Sequence, residues 1–113
     1  MSDWRPKLIA SDMDGTLLHW DDTVSEATLA ELGRWRADGV PLVLATGRPP
    51  RWMRSIREVL GHGTAVCCNG AVLLDLERFE VIEEEALQPA ILESVTTELR
   101  RRGKARAAPR PCV

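Results

Sequence analysis

Histidine and cysteine are scarce in this chain. It holds two histidines, His19 and His62, and three cysteines, Cys67, Cys68 and Cys112. Zinc sites are built from cysteines at C-x-x-C spacing together with histidine or further cysteine partners. The adjacent Cys67 and Cys68 lack that spacing, which argues against zinc. An odd cysteine count, with two side by side in an apolar run, reads as strand residues in a reducing compartment and not as a disulfide. Long apolar runs are missing too. None approaches the ~18 residues of a membrane-spanning helix, and the opening MSDWRPK has no apolar core of a secretory signal. A cytoplasmic location is the expectation. Acidic side chains are lacking at one end only: residues 100–113 carry 6 basic and no acidic groups, whereas residues 1–99 carry 9 basic and 17 acidic, net −8. So acidic a body argues against nucleic-acid binding, and one short basic tail does not reverse that.

What is present suits one small soluble domain: 113 residues, 44% apolar and 28% charged. The rest is organised around residues 7–18, KLIASDMDGTLL. There an apolar run is followed by two acids, Asp12 and Asp14, then Gly15, Thr16 and a second apolar pair. Such a run bounded by turn residues suits a buried parallel strand, here residues 7–12, ending in a loop. Ligands of open α/β sheets gather at the carboxyl ends of strands. Two carboxylates placed there repel each other and lose water, which is costly unless a hard cation joins them.

Along the chain, residues 17–24 read as a short hairpin or flap with Asp21-Asp22 as its turn pair. Ser25 caps a helix that carries Leu29, Leu32 and Trp35 or Arg36 on one stripe and ends at Gly39. Residues 40–45 form a second strand, with Thr46-Gly47-Arg48 as its terminal loop. Pro49 and Pro50 open a second helix whose inner face is Trp52, Ile56, Val59 and Leu60. Residues 64–68 make a third strand, followed by an Asn69-Gly70 turn. Residues 71–75 and 79–82 form an antiparallel pair. A third helix spans residues 88–102, with Ile91, Leu92, Val95 and Leu99 on one face. The order is that of the first half of a doubly wound α/β domain.

DMDGTLL, followed one strand–helix–strand unit later by LVLATGR and then CNGA, resembles the haloacid dehalogenase superfamily in its Cof-type branch, over roughly residues 7–99. The resemblance implies an N-terminal half of that fold: a partial core over residues 1–86, the first helix of an inserted cap over residues 87–102, and a tail over residues 103–113 that is either disordered or the product of a frameshift. It implies a magnesium-dependent phosphatase of small phosphorylated metabolites, sugar phosphates above all. Asp12 would attack phosphorus to give an aspartyl phosphate and Asp14 would serve as general acid and base. Mg²⁺ would be held by Asp12 and Asp14, the latter through its main-chain carbonyl. Main-chain donors of Met13 and Gly15, the Thr46 hydroxyl, Gly47, the Arg48 guanidinium and Asn69 would receive the phosphate.

Each of these residues also has a plainer role open to it. The acid pair suits a turn and cap, Thr46 a helix cap, Arg48 a surface ion pair and Asn69 a turn. Trp35 and Trp52 suit packing, Trp20 the pocket rim or packing, and Glu83 to Glu85 a solvated face. An EF-hand is excluded by glycine falling too early in the loop. Two family signatures, a lysine and an acidic G-D-x-x-N-D-like loop, are not found, and Lys104 lies in the wrong context to replace the lysine. The expectation is therefore a truncated copy that binds magnesium weakly, turns over slowly, and self-associates through an uncovered sheet edge. A non-catalytic remnant that binds phosphate or a partner, and a phosphomutase, are the alternatives.

Overall fold

The computed structural model describes residues 3–103. Five strands form one sheet in the order β1-β2-β3-β4-β5: β1 (Ile9–Asp12), β2 (Leu42–Ala45), β3 (Thr64–Cys67), β4 (Val72–Asp75) and β5 (Glu80–Glu84). Parallel pairing is confined to β1, β2 and β3; β4 and β5 run antiparallel. The fold is α/β with a mixed sheet. Three helices accompany it: α1 (Glu26–Ala37), α2 (Arg54–Leu60) and α3 (Pro89–Arg101). No described helix is long and apolar enough to cross a membrane.

Register sorts the strand residues by face. Leu42 and Leu44 align with Ala65, Cys67, Val72 and Leu74. These six side chains are at most 3% exposed and form one cluster with Leu32 of α1 and Met53, Ile56 and Leu60. Leu32 of α1 and Ile56 and Leu60 of α2 share the cluster, so both connecting helices cover this face, as the rule of like-handed crossovers requires for strand order 1-2-3. Each fully buried leucine there contributes roughly 1.5–3 kcal/mol of transfer free energy.

Several expectations shift by a residue or two, each for a local reason. β1 starts at Ile9 because its partner strand begins opposite at Leu42; Pro41 has no N–H and supplies only its carbonyl, to Ile9 N at 2.9 Å. β3 stops at Cys67 because Cys68 turns into left-handed backbone at φ 50°. The capping of α1 is as read from sequence: the Ser25 hydroxyl accepts from Thr28 N at 3.2 Å, and Gly39 follows the helix at φ 79°. Of the two choices for its stripe, Trp35 is half-buried, under Arg34 at 4.3 Å, while Arg36 points out to Glu77.

The second helix departs further. A 3-10 turn, Pro50–Trp52, precedes α2, and Met53 joins the two. Tighter winding in that turn rotates the following residues, so Met53, Ile56 and Leu60 face the core. Trp52 and Val59, expected inside, are 59% and 37% exposed. Residues 17–24 form no strand pair. Asp21 draws the Thr23 amide and hydroxyl onto its own carboxylate, closing a turn where a ladder would run. α3 spans nearly the expected residues, yet Ile91, Leu92, Val95 and Leu99 are all exposed, and the molecule extends 59 × 27 × 26 Å. The tail expected beyond Gly103, Lys104 and Cys112 lie outside the described residues.

Candidate active site

Strand alternation explains how the acid pair is presented. Met13 points into the helix-covered core and is fully buried, so its neighbours Asp12 and Asp14 are turned outward. The Met13 main chain is saturated. Its N–H donates to Ala45 O at 3.2 Å, and its carbonyl accepts from Thr16 N, Leu17 N and Leu18 N at 3.4, 3.1 and 2.9 Å. This nest of bonds turns the chain sharply after β1. Gly15 supplies the left-handed step at φ 74°, and a side chain there would meet nothing within 4 Å. Glycine is thus required here by conformation and not by crowding.

Thr46 ends β2 next door. Its amide donates to Val66 O at 2.9 Å, and its buried hydroxyl donates to Asp14 Oδ2 at 3.0 Å and accepts from Arg48 N at 3.0 Å. It caps its own loop and not a helix, since the residue preceding the 3-10 turn is Pro49. Asn69, at φ 55°, donates its amide to Thr46 O at 3.2 Å, and Cys68 N donates to Arg48 O at 3.0 Å. Those two bonds stitch the loop after β3 to the loop after β2. Gly47 lets them meet: a Cβ there would stand 3.1 Å from Asn69 Oδ1. Asp12, Ala45, Thr46, Gly47, Val66, Asn69 and Gly70 line a cavity of about 390 Å³ at the carboxyl ends of the three parallel strands.

Arg48 joins the two acid-bearing loops. Its Nε and Nη2 donate to Asp14 Oδ1 at 2.9 and 2.6 Å, and Nη1 and Nη2 donate to Asp22 Oδ2 and Oδ1 at 3.1 and 2.6 Å. The hydrogen bonds that Arg48 donates to Asp22, then to Asp14, push the guanidinium above its ordinary range, and Arg48 in turn holds Asp22 below the usual aspartate value. Asp22 is the site residue that sequence reasoning misses. Asp21-Asp22 reads as a turn pair, and nothing in its spacing tells which acid turns inward.

A hard cation fits part of this donor set. Asp12 accepts from Thr16 Oγ1 through Oδ2 at 3.0 Å, which leaves Oδ1 for a metal ion. The Asp14 side chain is committed to Thr46 and Arg48, so its contribution falls to the main-chain carbonyl. No cluster of three or more acidic, histidine or cysteine side chains suited to a metal occurs among the described residues.

Comparison with known proteins identifies the family. A family model described as haloacid dehalogenase-like hydrolase matches residues 9–108. The pyridoxal phosphate phosphatase YbhA of Escherichia coli is 34% identical over 82 residues, covering 72% of this chain and 30% of that protein. The HMP-PP phosphatase of Citrobacter koseri is 32% identical over 89 residues, 79% of this chain and 33% of its own length. The structure of a haloacid dehalogenase-like hydrolase from B. subtilis superposes with a TM-score of 0.76 at 31% identity, over 87% of this chain and 34% of that one. The chain thus spans about a third of the length of the curated relatives it matches. With motif, fold and site geometry in agreement, it belongs to the haloacid dehalogenase-like hydrolases.

Proposed function

We propose that the chain carries the nucleophile half of a Mg²⁺-dependent phosphatase acting on small phosphorylated metabolites, sugar phosphates among them. The observation that carries this reading is the Thr46–Asp14 hydrogen bond, 3.0 Å, across the mouth of two parallel strands, with Asp12 on the adjoining cavity wall. Asp12 attacks the phosphorus in line and displaces the leaving alcohol, forming an acyl phosphate. Asp14, which takes up a proton from solvent as the substrate binds, passes it to the departing oxygen and afterwards takes one from the water that cleaves the intermediate. Main-chain N–H groups of the loop after β1 and Arg48 receive the phosphoryl oxygens, joined by the Thr46 hydroxyl once its single hydrogen leaves Asp14. When bound, Mg²⁺ supplies charge neutralisation on those oxygens, with Asp12 and the Asp14 carbonyl as its ligands from this chain.

The named activities of the Escherichia coli and Citrobacter koseri relatives, on pyridoxal phosphate and HMP-PP, support a small phosphorylated substrate. The acidic excess over residues 1–99 supports action on such metabolites over action on nucleic acid, with the cytoplasm as the proposed location. The outer edge of β1 lacks a partner strand among the described residues, which supports self-association of a lone copy. A second reading, phosphate binding without turnover, is favoured by the commitment of the Asp14 carboxylate to Thr46 and Arg48. Hydrolysis of p-nitrophenyl phosphate with and without Mg²⁺ separates the two. Turnover that needs Mg²⁺ and disappears in Asp12→Asn supports the phosphatase; equal rates in both proteins refute catalysis by this chain.

A further inference from the structure

The turn over residues 19–23 is shaped to aim one carboxylate. Its flanks are anchored by Leu18 and Val24, 4% and 8% exposed, and it is closed by His19 N to Thr23 O at 2.8 Å and Asp22 N to His19 O at 3.1 Å. Asp21 uses its carboxylate inside the turn, on Thr23 N at 3.2 Å and Thr23 Oγ1 at 2.6 Å. Asp22 sits at φ 63°, a left-handed backbone that side chains rarely adopt and that aspartate and asparagine tolerate best. From there its two oxygens meet Nη1 and Nη2 of Arg48, 26 residues on. A strained residue that delivers a charge across the mouth of a site is where function is expected to reside.

Donor counting sets the consequence. A guanidinium has five N–H donors. Nε and one Nη2 hydrogen go to Asp14; the other Nη2 hydrogen and one on Nη1 go to Asp22. A single Nη1 hydrogen is left. Phosphate grips guanidinium through a two-point fork, so it cannot do so until one carboxylate leaves. Asp14 is held by Thr46 as well as by Arg48, whereas the Asp22 carboxylate has Arg48 alone as its partner among the described residues. Asp22 is the one that yields.

We propose that Asp22 is a tethered counter-ion, which occupies Arg48 while the pocket holds no anion and is displaced by the phosphoryl group of the substrate. The 19–23 turn then sets the affinity of the site for anions, because each phosphoryl group must outcompete a carboxylate carried by the chain itself. Displacement also takes one of the two carboxylates, Asp14 and Asp22, away from the guanidinium. The inference rests on the reading of Arg48 as a phosphate clamp.

Equilibrium titration of the full chain with orthophosphate in the presence of Mg²⁺ tests it, in four proteins: the parent, Asp22→Asn, Asp22→Gly and Asp21→Asn. Asparagine and glycine both accept φ 63°, so the turn survives both Asp22 changes. Asp21→Asn removes the same charge from the same turn and keeps an acceptor for Thr23. Binding on the order of tenfold tighter is expected in both Asp22 variants, with less than about twofold change in Asp21→Asn. Unchanged or weaker binding in both Asp22 variants overturns the proposal, as does an equal gain in Asp21→Asn, which would make the effect one of diffuse charge. Orthophosphate bound by none of the four proteins sinks the phosphate-site reading itself. One shared affinity in all four sinks only the counter-ion role.

Discussion

On the helix side of the sheet, Leu42, Leu44, Ala65, Cys67, Val72 and Leu74 are at most 3% exposed. On the other side Ala10, Asp12 and Ala45 are open, and Val43, Val66 and Leu73 are only half-buried. The same strands therefore serve two ends. Their helix face supplies stability through close packing; their open face supplies, at its carboxyl end, the wall of the cavity and the nucleophile candidate. What the contrast teaches is that Asp12 and Asp14 can be exposed and mutually repelling because the load of folding is borne by the residues alternating with them, Met13 first among these. Sites of this kind concentrate unfavourable local features that the packed side compensates.

Substitution on the two faces should separate stability from activity. The largest stability effect is expected from Leu44→Ala, about 2–5 kcal/mol lost in urea unfolding, whereas Val43→Ala, one residue away on the open face, should cost ~1 kcal/mol or less. Equal costs would break the comparison. A smaller effect is expected from acid. Arg48 holds the Asp22 carboxyl below its ordinary value, so the contact contributes stability above the unfolded aspartate value and loses it as pH falls through the lower folded value. The Asp22 carboxyl carbon should accordingly stay in its ionised form as pH falls through the ordinary aspartate range, with release from Arg48 only below that range. Release at higher pH would mean the pair is not formed. The smallest stability change is expected from Gly47→Ala, within about 0.5 kcal/mol. A Cβ there stands 3.1 Å from Asn69 Oδ1, and the entropy gained from the unfolded chain offsets the crowding. Phosphatase activity, by contrast, should fall as Asn69 moves in the cavity wall; unchanged activity would remove Asn69 from the site.

Much of the positioning was legible in the chain. KLIASDMDGTLL announces a strand and an acidic loop at its end, LVLATGR a second, and Ser25 and Gly39 the limits of α1, because these depend on local turn and cap chemistry. What was not legible depends on phase and on distant contact. Trp52 and Val59 look like core residues by spacing from Ile56, but a three-residue turn of tighter winding advances the phase and buries Met53 instead. Gly47 lines the cavity, and its missing side chain also makes room for Asn69, which spacing does not reveal. Asp22 looks like half of a turn, and only its left-handed backbone directs it to a guanidinium far along the sequence. Apolar residues on α3 read as one face, and that face is exposed among the described residues.

The central claim is that Asp12 receives a phosphoryl group with Asp14 beside it to complete the reaction. Acid-quench trapping with a ³²P-labelled phosphate monoester and Mg²⁺, followed by peptide mapping, tests it most directly. Label on the Asp12 peptide is predicted, with accumulation in Asp14→Asn, where the second step is slowed, and none in Asp12→Asn. Label that persists in Asp12→Asn, or that never appears on that peptide in Asp14→Asn, would contradict it.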